Sequence, residues 1–121
     1  MHELPITENL LELALRSASD AGGGRITDLH LVIGPLSGVV DESVRFYWEI
    51  LTEGTVAEGS RLHFRRTVLE MECRACGIRF RPESEDYHCT ACGSPQVKMV
   101  GGTEFHLDAI DLESAEPPPA G

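Results

Sequence analysis

All four cysteines of the chain fall into two Cys-x-x-Cys pairs, Cys73/Cys76 and Cys89/Cys92, with twelve residues between the pairs. Few other features constrain a fold so tightly. Two intervening residues let a tight turn present both sulfurs to one ion. Gly77 and Gly93 follow the pairs, where the backbone must turn its amides toward sulfur. Four thiolates with no open position suit tetrahedral structural zinc. A rubredoxin-like iron takes the same ligands, so spacing alone leaves iron open, together with a thiol redox role. The closed ligand set gives no place for a metal-activated water. The plain expectation is a metal that folds residues 70–100 and does nothing else. The sharper one is that ligation responds to pH, redox state or a second metal. His88 adjoins Cys89 and is a candidate to approach the ion, although a surface histidine is the simpler reading.

Charge and length narrow the class. The 121 residues suit one compact body with a small appendage. A net charge of -10, from 20 acidic and 10 basic residues, opposes nucleic acid, whose phosphates need a positive surface. No apolar run approaches the ~20 residues that span a bilayer, and no secretory leader opens the chain. A cytosolic protein is expected, and in a reducing cytosol paired cysteines are metal ligands more often than disulfides.

Periodicity orders the rest. Residues 4–20 form a helix with Ile6, Leu10, Leu13 and Ala14 on its apolar stripe. Pro5 fits the first turn, and Leu4 before it should be extended. Gly22-Gly23-Gly24 ends the helix. Ile26–Ile33 alternates as a strand, with Leu29, Leu31 and Ile33 against Asp28, His30 and Val32. Asp41 is the expected N-cap of a second helix, about 42–53, whose apolar positions are Val44, Tyr47, Trp48 and Leu51. Strands follow at 61–68 and 103–112, the latter with Phe105, Leu107 and Ala109 on one face.

A two-stranded sheet with two helices would be marginal, so the last strand should return to the first sheet. The expected fold is therefore α/β (α+β): a three-stranded sheet with two helices, plus an inserted zinc-ribbon or rubredoxin-like domain. Its boundaries are expected at 1–68 and 101–113 for the body, 69–100 for the metal domain, and 114–121 for a disordered tail rich in proline. His30, His63 and His106 lie on strands, where they read as polar-face residues. They would cluster only if their strands were neighbours in register.

The opening Met1-His2-Glu3 is a second candidate metal site. With Met1 retained, the α-amine, the His2 amide nitrogen and the His2 imidazole form adjoining chelate rings. Nitrogen ligands of this kind suit nickel or copper. Glu3 would add an oxygen or orient the imidazole. Amide ligation requires loss of a proton, so binding should strengthen as pH rises. The bland alternative is an incidental histidine.

Met1-His2-Glu3 opening a helix, the turn Gly34-Pro35-Leu36-Ser37-Gly38-Val39, the segment Glu42-Ser43-Val44-Arg45-Phe46 and the double Cys-x-x-Cys module together resemble the HypA/HybF family. Cys89-Thr90-Ala91-Cys92-Gly93-Ser94 and Gly102-Thr103-Glu104 extend the resemblance, which covers about residues 1–113. Pro5 and Asp41 depart from the family pattern without removing a ligand. The resemblance implies a nickel metallochaperone for maturation of [NiFe] hydrogenase, and in some bacteria of urease. It implies Ni(II) held by Met1, His2 and Glu3, and structural Zn(II) held by Cys73, Cys76, Cys89 and Cys92. It also implies a nickel GTPase, the hydrogenase large-subunit precursor and urease maturation proteins as partners. No nucleic acid or membrane partner is expected, the state would be a monomer or weak homodimer, and the protein is no enzyme. The rival is a zinc-ribbon adaptor for nucleic acid or protein that transfers no nickel. Arg74, Arg79, Arg81 and Lys98 favour it, and Glu83, Glu85 and Asp86 offset them.

Overall fold

The computed structural model describes residues 3–83 and 87–113. Met1, His2 and the expected tail at 114–121 lie outside these residues, as do Ser84, Glu85 and Asp86. Two α-helices, α1 (Glu3–Asp20) and α2 (Asp41–Leu51), accompany six strands. These are β1 (Ile26–Ile33), β2 (Arg61–Arg66), β3 (Glu70–Cys73), β4 (Arg79–Phe80), β5 (Val97–Gly101) and β6 (Phe105–Leu112). They form two three-stranded sheets, ordered β2-β1-β6 and β4-β3-β5. The final strand returns to the first sheet, so the α/β architecture with a cysteine-rich insertion is as expected. Among the described residues, no helix is long and apolar enough to cross a membrane.

The chain forms two compact units. The first comprises residues up to Val32, Val39–Arg65, and those from His106 onward. In it α1 packs against α2. The buried stripe of α1 is Glu3, Thr7, Leu10, Ala14 and Ala18, whereas Leu13 is 47% exposed. The stripe is thus rotated from the expected one. Thr7 is tolerated inside because its hydroxyl donates to the Glu3 carbonyl one turn back. Leu4 is helical, not extended: Pro5 stands in the first turn, where its missing N–H has no helical partner to lose. At the other end the Gly23 N–H bonds the Ala18 carbonyl at 2.7 Å, with Gly22 and Gly23 at positive φ, a left-handed exit that glycine adopts without strain.

Asp41 is the first residue of α2 and not its N-cap; that place belongs to Val40, whose side chain cannot cap. The Val40 N–H instead donates to Glu3 Oε2 at 3.3 Å, so a carboxylate from α1 serves the start of α2. Asp41 still acts favourably there, its negative charge facing the positive end of the helix. Val44 and Trp48 point inward, and Trp48 Nε1 donates to Ser60 Oγ at 2.9 Å.

As the central strand, β1 is buried toward its end on both faces: Leu31, Val32 and Ile33 are all covered. Strand β2 stops at Arg66 and β6 starts at Phe105, each two residues short of expectation, and Ala109 is exposed.

The second unit comprises Ile33–Gly38 and Arg66–Phe105. Its core is Met71, Cys73, Phe80 and Cys89, with Leu69 and Val97 packed against it. In the sheet, Met71 sits opposite Phe80 on one side and Met99 on the other, and Cys73 opposite Val97. Two of the four core residues are cysteines, so this unit has little apolar substance of its own. The Gly34 turn joins it tightly: the Gly34 N–H bonds the Glu104 carbonyl, and the Leu36 N–H bonds the Gly102 carbonyl, both at 2.7 Å. A Cβ on Gly34 would lie 2.2 Å from the Gly102 carbonyl oxygen. The Gly34 and Gly102 motifs, distant in sequence, are therefore partners across one backbone contact that admits no side chain.

Candidate metal centre

Each Cys-x-x-Cys pair folds as the same small knuckle. The amides of Ala75 and Cys76 point at Cys73 Sγ at 3.3 and 3.4 Å. Those of Ala91 and Cys92 point at Cys89 Sγ, both at 3.4 Å. The Gly77 and Gly93 amides close the turns onto the carbonyls of Cys73 and Cys89 at 2.9 Å, with φ of +80° and +76°. Only glycine adopts that backbone cheaply, which accounts for its place after each pair.

The knuckles are interleaved. Cys73 Sγ lies 3.6 Å from Cys92 Sγ, and Cys76 Sγ lies 3.6 Å from Cys89 Sγ. All four sulfurs fall within 4.8 Å of one another. A disulfide needs sulfurs about 2.05 Å apart, so none of these is bonded. Zinc–thiolate bonds of about 2.3 Å place tetrahedral sulfurs about 3.8 Å apart, which the observed spacing fits. Cys73 and Cys89 are buried and Cys76 and Cys92 exposed, so the ion would sit at the surface edge of the core.

The sulfurs also differ in proton affinity. The Cys92 amide, chiefly, holds the Cys89 thiol down to about 6, aided by the Ala91 amide. The Cys76 amide lowers Cys73 in the same way. Cys76 feels the Ile78 amide pulling its thiol down, but desolvation and the neighbouring sulfurs outweigh it and push the thiol up to about 12. Cys92 is raised despite the Ser94 amide, principally by Cys73. In each knuckle the first sulfur thus gives up its proton more readily than the second.

Among the described residues these four cysteines form the group of three or more ligand side chains close enough to share one metal ion. His88 is exposed and is not part of that group. Met1 and His2 lie outside the described residues, so of the amino-terminal candidates only Glu3 is placed: 6% exposed, with Oε2 taken by the Val40 N–H. Strand order also brings together two histidines that sequence could only list: the His30 and His63 rings stack with centroids 5.1 Å apart.

An α/β body carrying a four-sulfur module defines a small metal-handling protein. The model of the family described as hydrogenase/urease nickel incorporation, metallochaperone, hypA matches residues 1–112, and the chain belongs to that family. A hydrogenase maturation factor HypA of Geobacter sulfurreducens is 41% identical over 113 residues, covering 93% of this chain and all of the relative. One from Dehalococcoides mccartyi is 36% identical over 113 residues, covering 93% of this chain and 95% of the relative. A solution structure of HypA protein superposes with a TM-score of 0.76 at 25% identity, covering 93% of this chain and 97% of that one. The solution structure of the Ni metallochaperone HypA from Helicobacter pylori shares the fold, with a TM-score of 0.67 at 24% identity over the same shares.

Proposed function

We propose that this chain is a cytosolic nickel carrier for hydrogenase maturation, with urease as a further client, and that it performs no catalysis. Ni(II), its cargo, binds the Met1 amine, the adjoining amide nitrogen and the His2 imidazole, with Glu3 supplying an oxygen or orienting the ring. Zn(II) is held by Cys73, Cys76, Cys89 and Cys92, where it supplies cohesion to a unit whose apolar core is small. The proposed division is a nickel-binding α/β body and a zinc-binding domain. The family match from residue 1 to 112 carries this reading, because it takes in both Met1-His2-Glu3 and all four cysteines. The sulfur geometry supports the zinc assignment independently.

A carrier must release what it holds. An open nitrogen site of roughly micromolar affinity, about 8 kcal/mol, suits transfer better than a closed thiolate cage. The receivers are a nickel GTPase and the hydrogenase large-subunit precursor. Nickel titration of the untagged chain against His2→Ala, with zinc measured in both, tests the reading. High-affinity nickel binding should vanish in the variant while zinc loading stays equal. Equal nickel affinity in both proteins would defeat it.

A further inference from the structure

The sheet β2-β1-β6 carries a group of ionisable side chains that the nickel and zinc sites do not use. His30 of β1 and His63 of β2 stack face to face, their planes 16° apart. His30 Nε2 lies 2.8 Å from Asp111 Oδ2 of β6. His63 Nε2 lies 2.7 Å from Asp28 Oδ1 of β1. The Arg61 Nε sits 3.3 Å from the same Asp28 oxygen. The His63 hydrogen bond first, then Thr27 and Arg61, hold the Asp28 carboxyl below its usual range.

An ionised carboxylate only accepts hydrogen bonds, so each Nε2 carries its ring's proton. In the neutral imidazole the lone pair then lies on Nδ1. This is the arrangement by which carboxylates prepare histidines for metal ligation, fixing the tautomer and making the ligand nitrogen more basic. The two side chains are 42% and 48% exposed, so an ion can reach them.

We propose that His30 and His63 form a second, weaker site for a divalent first-row transition ion, bound through both Nδ1 atoms and completed by water. Two nitrogens at about 2.1 Å from one ion lie at most about 4.2 Å apart. Near-parallel rings 5.1 Å apart do not aim two in-plane lone pairs at one point, so one ring must turn about its Cβ–Cγ bond for both Nδ1 atoms to meet an ion. The turn sacrifices the stack, and water fills the remaining positions, so the ion is held loosely. Imidazole with water accepts copper, nickel or zinc, with copper favoured. The site lies wholly in the unit that begins with α1, and it stands whether or not the amino terminus carries nickel.

The test uses the full zinc-loaded chain carrying His2→Ala, titrated with Ni(II) while the histidine ring protons are followed by NMR. The His30 and His63 signals should broaden together, at lower nickel than those of His88 and His106. His63→Gln should raise the nickel needed to broaden His30 at least tenfold. Asp111→Ala should weaken binding about tenfold, with circular dichroism verifying the fold of each variant. Broadening of all four histidines over one range would overturn the proposal. So would unchanged binding in His63→Gln or in Asp111→Ala. Failure here leaves the His2 comparison untouched, because that comparison reads the tighter site.

Discussion

On the proposed reading Glu3 does two jobs, serving α2 and serving nickel, that a pair of substitutions can separate. Its carboxylate is buried, and Oε2 accepts the Val40 N–H that opens α2. Glu3→Ala removes that acceptor. A net hydrogen bond contributes about 1 kcal/mol, and an amide left unpaired costs about 1–3 kcal/mol. In a body of this size about 1 kcal/mol corresponds to about 4–8 °C in Tm. The alanine variant should therefore melt at least about 4–8 °C lower than the parent, followed by far-UV circular dichroism with zinc in excess. Glu3→Gln keeps an amide oxygen of the same reach, so its Tm should fall by less than half as much. Nickel should separate the two differently: the glutamine variant lacks the charge, and its nickel affinity should drop about tenfold even where its fold is intact. A glutamine variant that melts as low as the alanine one would refute the hydrogen-bond reasoning. An alanine variant that melts like the parent would do the same.

Other outcomes follow from the second unit. Cys76 and Cys92 hold their protons more tightly than an ordinary thiol and must release them to the metal. Acid therefore favours the metal-free form, and zinc affinity should rise at least about 100-fold per pH unit between about pH 6 and 8, a factor of ten for each of these two protons. Competition against a chromophoric chelator measures the slope, and a flat profile would contradict the proton assignment. Complete removal of zinc should expose residues 70–100 to protease while α1 and α2 keep their helical signal; unchanged resistance would contradict a structural role. Gly34→Ala forces a Cβ to within 2.2 Å of a backbone oxygen and should cost about 1–3 kcal/mol or more, read as loss of stability in the zinc-loaded chain. Parent-like stability would show that the two turns yield easily.

What could be read in the sequence is what depends on near neighbours. The Cys-x-x-Cys spacing with its following glycines is a local backbone device, and the knuckles at Cys73 and Cys89 form as that spacing requires. Both helices and the three strands of the first sheet were legible from period alone. The misreadings have a common cause. The inward place of Thr7 in preference to Leu13 depends on what faces α1, and its hydroxyl is satisfied by a helical carbonyl that a hydropathy pattern ignores. Glu3, far away in sequence, accepts the Val40 N–H, a place that a glutamate three residues into α2 would fill in a capping box, and nothing local to α2 announces it. The stack of His30 on His63 follows from strand order, which alternation within one strand does not encode. Likewise Gly34 and Gly102 each look like ordinary turn glycines until their backbones meet.

The central claim is that two metals are sorted by ligand chemistry: zinc to the four sulfurs, nickel to nitrogen and oxygen at the amino terminus. X-ray absorption at both metal edges of the untagged chain, loaded with one equivalent of each ion, tests it most directly. The zinc edge should show four sulfur neighbours at about 2.3 Å, and the nickel edge only nitrogen and oxygen. Sulfur scattering at the nickel edge, with zinc displaced to lighter ligands, would contradict the account.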